Sequence, residues 1–376
     1  MEPTSNACVA VLDFLMSFLV ISTCVVFFWR GTWGIFDAYL YPDNMELSAW
    51  ICFTCGNFVL IFTGLLQTYI SRINTFKNIV VHFILSRLHI YIISTGSVAQ
   101  WRGIWNLQDH YTGTSWQSAL TSTIIGSGVI CCLRCTKSIM TSAPLLVAHD
   151  TDHVTLFRVT GRLGSEVGNS PRFMVDMVMT PLLVHTFVVV FWRGLWSLMN
   201  IYLYPEDDAQ SGIYSLVAGL ALAYPTVIGQ HLILPFVKNP DNKHSMCRVL
   251  LLNLYLVMAS CLPVAHWRGI WFLQDAWLIP ENKVISAWMS HTIGFLGGVL
   301  VLSSKSIPVS GCFLDSSIGK DNQRLINLTY FKKLWDNVCN QESAKCQNGH
   351  EEKDIASRQN YENNNKAIEF TYITHL

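Results

Sequence analysis

Four arginines stand at matching places in this chain: Arg30, Arg102, Arg193 and Arg268, each inside a Trp-Arg-Gly-x-Trp stretch. Seven residues after Arg30, Arg102 and Arg268 comes a carboxylate, Asp37, Asp109 and Asp275, while Arg193 is followed at that distance by Asn200. On a continuous helix this spacing puts base and acid two turns apart on one face. Two roles are then open. The groups pair, within a copy or between neighbouring copies, and brace the protein; or they line a charged cleft that receives a ligand.

A second polar set lies inside apolar runs. Asp13 and Asp176 each precede a motif Trp by 16 residues, and Arg87 precedes Trp101 by 14, with Asn253 at the corresponding place before Trp267. At the rise of a helix, Asp13 and Arg87 lie roughly 24 and 21 Å from their motif Trp. An arginine inside a membrane is costly and pairs with an acid, so Arg87 is expected to pair with Asp13. Asp176 has no corresponding arginine. His82, His89, His185, His231 and His291 read as hydrogen-bonded packing residues. No HExxH, paired carboxylate or Ser/His/Asp arrangement stands out, and the single CxxC, Cys52 to Cys55, lacks the four ligands of a structural zinc site. No catalytic residue, metal or cofactor is expected.

The elements that carry these groups form an internal repeat. Its copies are Trp29-Arg30-Gly31-Thr32-Trp33, Trp101-Arg102-Gly103-Ile104-Trp105, Trp192-Arg193-Gly194-Leu195-Trp196 and Trp267-Arg268-Gly269-Ile270-Trp271. Tyr41-Pro42, Tyr204-Pro205 and Ile279-Pro280 follow at one offset, and only the second copy departs, with Gly113-Thr114. Tryptophan suits the boundary between lipid and water, glycine permits close backbone approach, and proline turns the chain back.

Charged residues make up 13% of the chain and apolar residues 51%, against about 25% charged in a soluble domain. Runs of about 20 apolar residues, enough to cross roughly 30 Å of hydrocarbon, lie near 8–28, 47–69, 79–100, 115–133, 173–191, 211–236, 247–266 and 284–304. The expected fold is an all-α polytopic membrane protein. Its eight transmembrane helices form two parallel four-helix halves, each built from two motif-bearing helix pairs. The halves cover residues 1–133 and 173–304, joined by a cytosolic linker over 134–172. Because each unit has two spans, all four motifs face the same side, and a pseudo-fourfold or two-plus-two arrangement would gather the four arginines. Gly56, Gly64, Gly126, Gly128, Gly212, Gly219, Gly294, Gly297 and Gly298 in the even-numbered runs favour close helix packing; Pro225 and Pro235 are expected to kink the sixth run or end it early.

Loops after the even-numbered runs are rich in Lys and Arg, whereas the motif loops are acidic. By the positive-inside rule both termini are cytosolic and the motifs face outside or the lumen. None of the 12 cysteines lies in a predicted outer loop, so no external disulfide framework is expected. Cys131, Cys132 and Cys135 sit where palmitoylation occurs. The tail, 305–376, reads as cytosolic and largely disordered, with an amphipathic helix over 325–338 that suits the inner leaflet or a partner groove. Its end, Thr374-His375-Leu376, fits a PDZ-binding terminus.

The four Trp-Arg-Gly-x-Trp copies, the Tyr-Leu-Tyr-Pro stretches at Tyr39 to Pro42 and Tyr202 to Pro205, and the layout over about residues 8–304 resemble the Fuseless family of eight-span membrane proteins. The resemblance implies a presynaptic plasma-membrane protein that organises voltage-gated calcium channels and supports transmitter release. It supplies no catalytic or ligand residue. The expected partners are the lipid bilayer, a calcium channel and a PDZ scaffold, with no nucleic acid. The competing reading is a secondary transporter or channel with a polar site around Asp13 and Arg87.

Overall fold

The computed structural model describes residues 3–70, 78–140, 143–150, 161–163, 170–239 and 245–308, with positions 312, 313, 315, 326, 328, 330 and 331 beyond. They belong to two units, residues 14–328 and residues 1–13 with 329–376. The fold is all-α, with α1 (Pro3–Leu15), α2 (Ser22–Tyr39), α3 (Met45–Leu65), α4 (Gln67–Ile70), α5 (Ile79–Thr112) and α6 (Trp116–Cys132). Then come α7 (Pro171–Met179), α8 (Thr186–Tyr202), α9 (Asp208–Lys238), α10 (Met246–Trp277) and α11 (Lys283–Leu300). One π-helical turn, Met16–Ile21, leads into α2, and another, Thr180–His185, leads from α7 into α8. α9 continues through Pro225 and Pro235 to Lys238, so neither proline ends it early.

Among the described residues, five segments are long and apolar enough to cross a membrane: Cys8–Tyr39, Met45–Leu65, Pro171–Tyr202, Asp208–Lys238 and Met246–Trp277. The distribution of polarity agrees. Large apolar side chains such as Phe58, Leu232, Leu254 and Leu300 are exposed, whereas Ser17, Ser94, Gln100, Arg193 and Ser260 are fully buried. In water such a surface would be an aggregation liability; against lipid tails it is satisfied.

Three motif helices, α2, α8 and α10, end in the same way, capped on Leu40, Leu203 and Leu278, while α5 runs one residue further and is capped on Gly113. Tyr41, Tyr204 and Ile279 have φ of 47°, 48° and 49°, and Gly113, at the equivalent place, has φ of 70°. The second copy departs in backbone as well as in sequence: it shares the positive φ, which glycine adopts without the steric penalty the other three carry, but Gly113 itself caps α5, with ψ of −179°. The following helices begin on Asn44, Ser115, Asp207 and Asn282, whose side chains each accept a backbone N–H of the first turn.

Each motif helix packs most extensively on a helix from a different copy: α5 on α3, α8 on α6, α10 on α9, and α2 on α11. Small residues make these approaches possible. A Cβ on motif Gly103 would stand 2.3 Å from the Phe53 backbone nitrogen, and one on Gly56 opposite would stand 2.3 Å from that of Gln100. Gly31 with Gly294, Gly194 with Gly126 and Gly269 with Gly219 repeat this reciprocal pairing at the other three interfaces.

Candidate functional site

The interfaces bring the four motifs to a common axis. Trp29, Trp101, Trp192 and Trp267 form a closed square in which each indole meets both neighbours edge-to-face, with ring centroids 5.2, 5.4, 5.4 and 5.4 Å apart. One turn further along, Trp33, Trp105, Trp196 and Trp271 form a second square at 5.9, 5.8, 5.8 and 5.8 Å. Edge-to-face contact in this range is favourable for aromatic quadrupoles. All four inner rings are buried, while Trp33, Trp105 and Trp271 of the outer square are half-buried. The eight rings, with Asn200 and Phe272, line a cavity of about 230 Å³.

Around the squares the arginines face the interfaces, and each takes its partners from the preceding copy. Arg102 donates to Asp37 at 2.9 Å and to Ser48 at 3.0 Å. Arg193 donates to Asp109 at 2.9 Å and to Ser118 and Ser122 at 2.8 and 3.1 Å. Arg30 closes the ring on Asp275, 2.9 Å, and Ser286, 2.7 Å. Arg268 has Asn200 Oδ1 at 2.9 Å where the others have a carboxylate; like Arg193 it bonds two serine hydroxyls, Ser211 and Ser215, and it lies 4.0 Å from the Phe272 ring centroid. Of the two roles open in the sequence, bracing between copies is the one these bonds serve. The serines were not picked out from the sequence, although Ser48, Ser211 and Ser286 all stand 19 residues after a motif Trp.

At the other face of the inner square lie two related turns. Trp192 Nε1 donates to the Ile139 carbonyl, Trp267 Nε1 to Ala143 and Trp29 Nε1 to Ile307; Trp101 Nε1 is buried with no partner among the described residues. The turn after α6, Thr136–Met140, and the turn after α11, Ser304–Ser306, are each held by an aspartate from the segment that follows the other half. Asp315 accepts the N–H groups of Thr136 and Lys137, both at 3.1 Å. Asp150 accepts those of Ser304 and Lys305, at 3.0 and 2.9 Å. Burial pushes the Asp315 carboxyl up and the Lys137 ammonium down from their ordinary values. Beside them the Sγ atoms of Cys135 and Cys312 are 3.1 Å apart.

These turns correct the expected polar pairing. Arg87 bonds to Asp150, 2.5 Å, and to the Ser304 hydroxyl, so its carboxylate partner is Asp150 in place of Asp13. Depth along the helix had suggested the wrong acid, because the chain between the halves folds back into the bundle and brings its own. Asn253, at the place matching Arg87, accepts from the Thr136 hydroxyl at 2.9 Å. Asp176 is fully buried and takes the Leu163 backbone N–H at 2.8 Å. In its own unit, Asp13 takes that of Phe331 at 2.5 Å. The segment read as linker is therefore built into the structure over Cys135–Met140 and at Ala143, Leu145 and Asp150, all buried. The tail likewise contributes buried Lys305, Ile307, Cys312 and Asp315. His185 bonds to Gln100, and His291 to Thr32 and Tyr91, as packing residues do. Most of 325–338, and Thr374-His375-Leu376, lie outside the described residues.

Neither a curated protein nor a solved structure matches the chain. The sequence pattern of one family does, over residues 8–308, which takes in all four tryptophan motifs, both π-helical turns and the Ser304–Ser306 turn. On that match, the chain belongs to the Fuseless family.

Proposed function

We propose that this protein is an eight-span, non-enzymatic organiser in the presynaptic plasma membrane. In this reading it holds voltage-gated calcium channels near release sites. All eight helical segments span the bilayer as four two-helix units, the motifs face outside, and both termini are cytosolic. The observation that supports a scaffold best is the sealed centre. Four indoles in mutual contact close the axis, and a ring of buried arginine bonds fixes the helices around them. Family membership and the lipid-compatible exterior support the membrane setting.

The transporter reading, with a polar site around Asp13 and Arg87, has less support, since Arg87 is committed to Asp150 and Ser304. The test is calcium-channel density at active zones in neurons lacking the protein. Loss of density with rescue by the full chain is expected. A chain ending after residue 331 keeps the buried turns and asks whether the remaining tail recruits the partner through its terminus. Unchanged channel density without the protein overturns the organiser role. Tags after Pro42 and Pro205, stained on intact cells, test orientation separately.

A further inference from the structure

The tryptophan-lined cavity holds about 230 Å³, less than the roughly 300 to 1,000 Å³ of pockets for drug-sized ligands. Its occupant is therefore small. Apart from Asn200, every lining side chain is aromatic, so the walls offer π-electron density and almost no hydrogen-bonding groups. Two kinds of molecule suit such walls: a neutral apolar one, and a cation whose charge is cloaked in alkyl groups and is drawn to indole faces.

The rim separates the two. One turn beyond the outer square, the side chains of Asp37, Asp275 and Asp109 are 53%, 42% and 22% exposed, whereas their arginine partners are 4%, 9% and 0% exposed. The ion pairs are thus turned with carboxylates toward water and guanidiniums toward the helix interfaces. Arg268, which lacks an acid, is 1% exposed and is bonded to α9 serines. Exposed Asp43, Glu46, Glu206, Asp208 and Glu281, in the same loops and the first turns of the helices that follow, add negative charge that outweighs the exposed Lys283. A field of this sign concentrates cations at the mouth, and the aromatic walls then favour one that needs no hydrogen bond.

We propose that the cavity lined by the tryptophan squares is a binding site for a small alkylated ammonium ion. The proposal goes beyond the organiser role and does not depend on it, because binding is read on purified protein without any partner. The full chain in lipid nanodiscs is titrated with tetramethylammonium chloride, followed by tryptophan fluorescence and calorimetry, with sodium chloride as the ionic control. In parallel, choline is compared with its neutral isostere 3,3-dimethylbutanol. Saturable tetramethylammonium binding is expected, with choline preferred over the neutral isostere by about tenfold.

Trp105→Leu is expected to weaken binding by a similar factor, and Trp50→Phe, outside the cavity, to leave it unchanged. Asn200→Asp adds a carboxylate to the lining without removing an aromatic wall, so it keeps the test decisive should Trp105→Leu misfold; tighter tetramethylammonium binding is expected. Absence of saturable binding, equal binding of choline and the neutral isostere, or indifference to both Trp105→Leu and Asn200→Asp overturns the proposal.

Discussion

Arg30 and Asp275 are 245 positions apart in the chain and 2.9 Å apart in space. Their bond is the fourth side of a ring whose other sides are Arg102 with Asp37, Arg193 with Asp109 and Arg268 with Asn200. It places the last copy beside the first. Each arginine is buried and each acid is shared with a different helix, so charge, helix order and closure are one arrangement.

Removing one partner of such a pair leaves a buried charge. Asp109→Asn is expected to destabilise by about 1–3 kcal/mol, less than for a fully buried pair because Asp109 keeps some exposure. Asn200→Asp, which gives Arg268 the acid its counterparts have, is expected to be neutral or stabilising. Thermal melts of the solubilised protein, read by size-exclusion fluorescence, check both.

The reciprocal glycines allow a sharper comparison. Gly103→Ala would bring a methyl group to 2.3 Å from the Phe53 nitrogen, while a Cβ on Gly128 meets nothing within 4 Å. The first is expected to lower stability by about 1–3 kcal/mol as α3 and α5 separate. The second, on the same scale, is expected to be silent or slightly stabilising, since alanine favours the helix. Equal effects would show that the interfaces are looser than the backbone distances state.

Arg87 and Asp150 share one buried contact with Ser304. A double-mutant cycle with Arg87→Met and Asp150→Asn is expected to give a coupling of about 1–3 kcal/mol. The cycle pairing Arg87→Met with Asp13→Asn is expected to be additive. Additivity at Asp150 would return the question of Arg87's partner to the start.

Cys135 and Cys312 come from the segments that follow the two halves and have Sγ atoms 3.1 Å apart. Treatment with diamide is expected to join them: the reagent takes up two electrons and two protons, and the thiols become a disulfide. Peptide mapping with and without reduction detects the link, and Cys312→Ser abolishes it. The linked protein is expected to melt higher, because both turns beneath the inner square are then tied.

Much of this arrangement was legible from spacing alone. Trp, Arg, Gly and acid recur at fixed offsets, and those residues build the squares, the ring and the close approaches. Partner choice was not legible, since Asp37 is as well placed in sequence to serve Arg30 as Arg102; only the packing of α5 on α3 decides. The turns around Lys137 and Lys305 were missed for a different reason. They have no apolar period and carry charge, so they read as solvated chain, and their burial depends on Asp315 and Asp150 arriving from elsewhere to satisfy their backbone N–H groups. Gly113 looked like a broken copy, and it is one in part: it keeps the positive φ, at 70°, but ends its helix one position later than the others.

A ring whose first and last members touch cannot be completed by a growing chain until its end has been made. α2 emerges early and then waits, with Arg30 unpaired, for Asp275 and for Ser286 on α11. A product that stops after the first half is accordingly an open staircase, with the bare Arg30 guanidinium at one edge and the bare Asp109 carboxylate at the other.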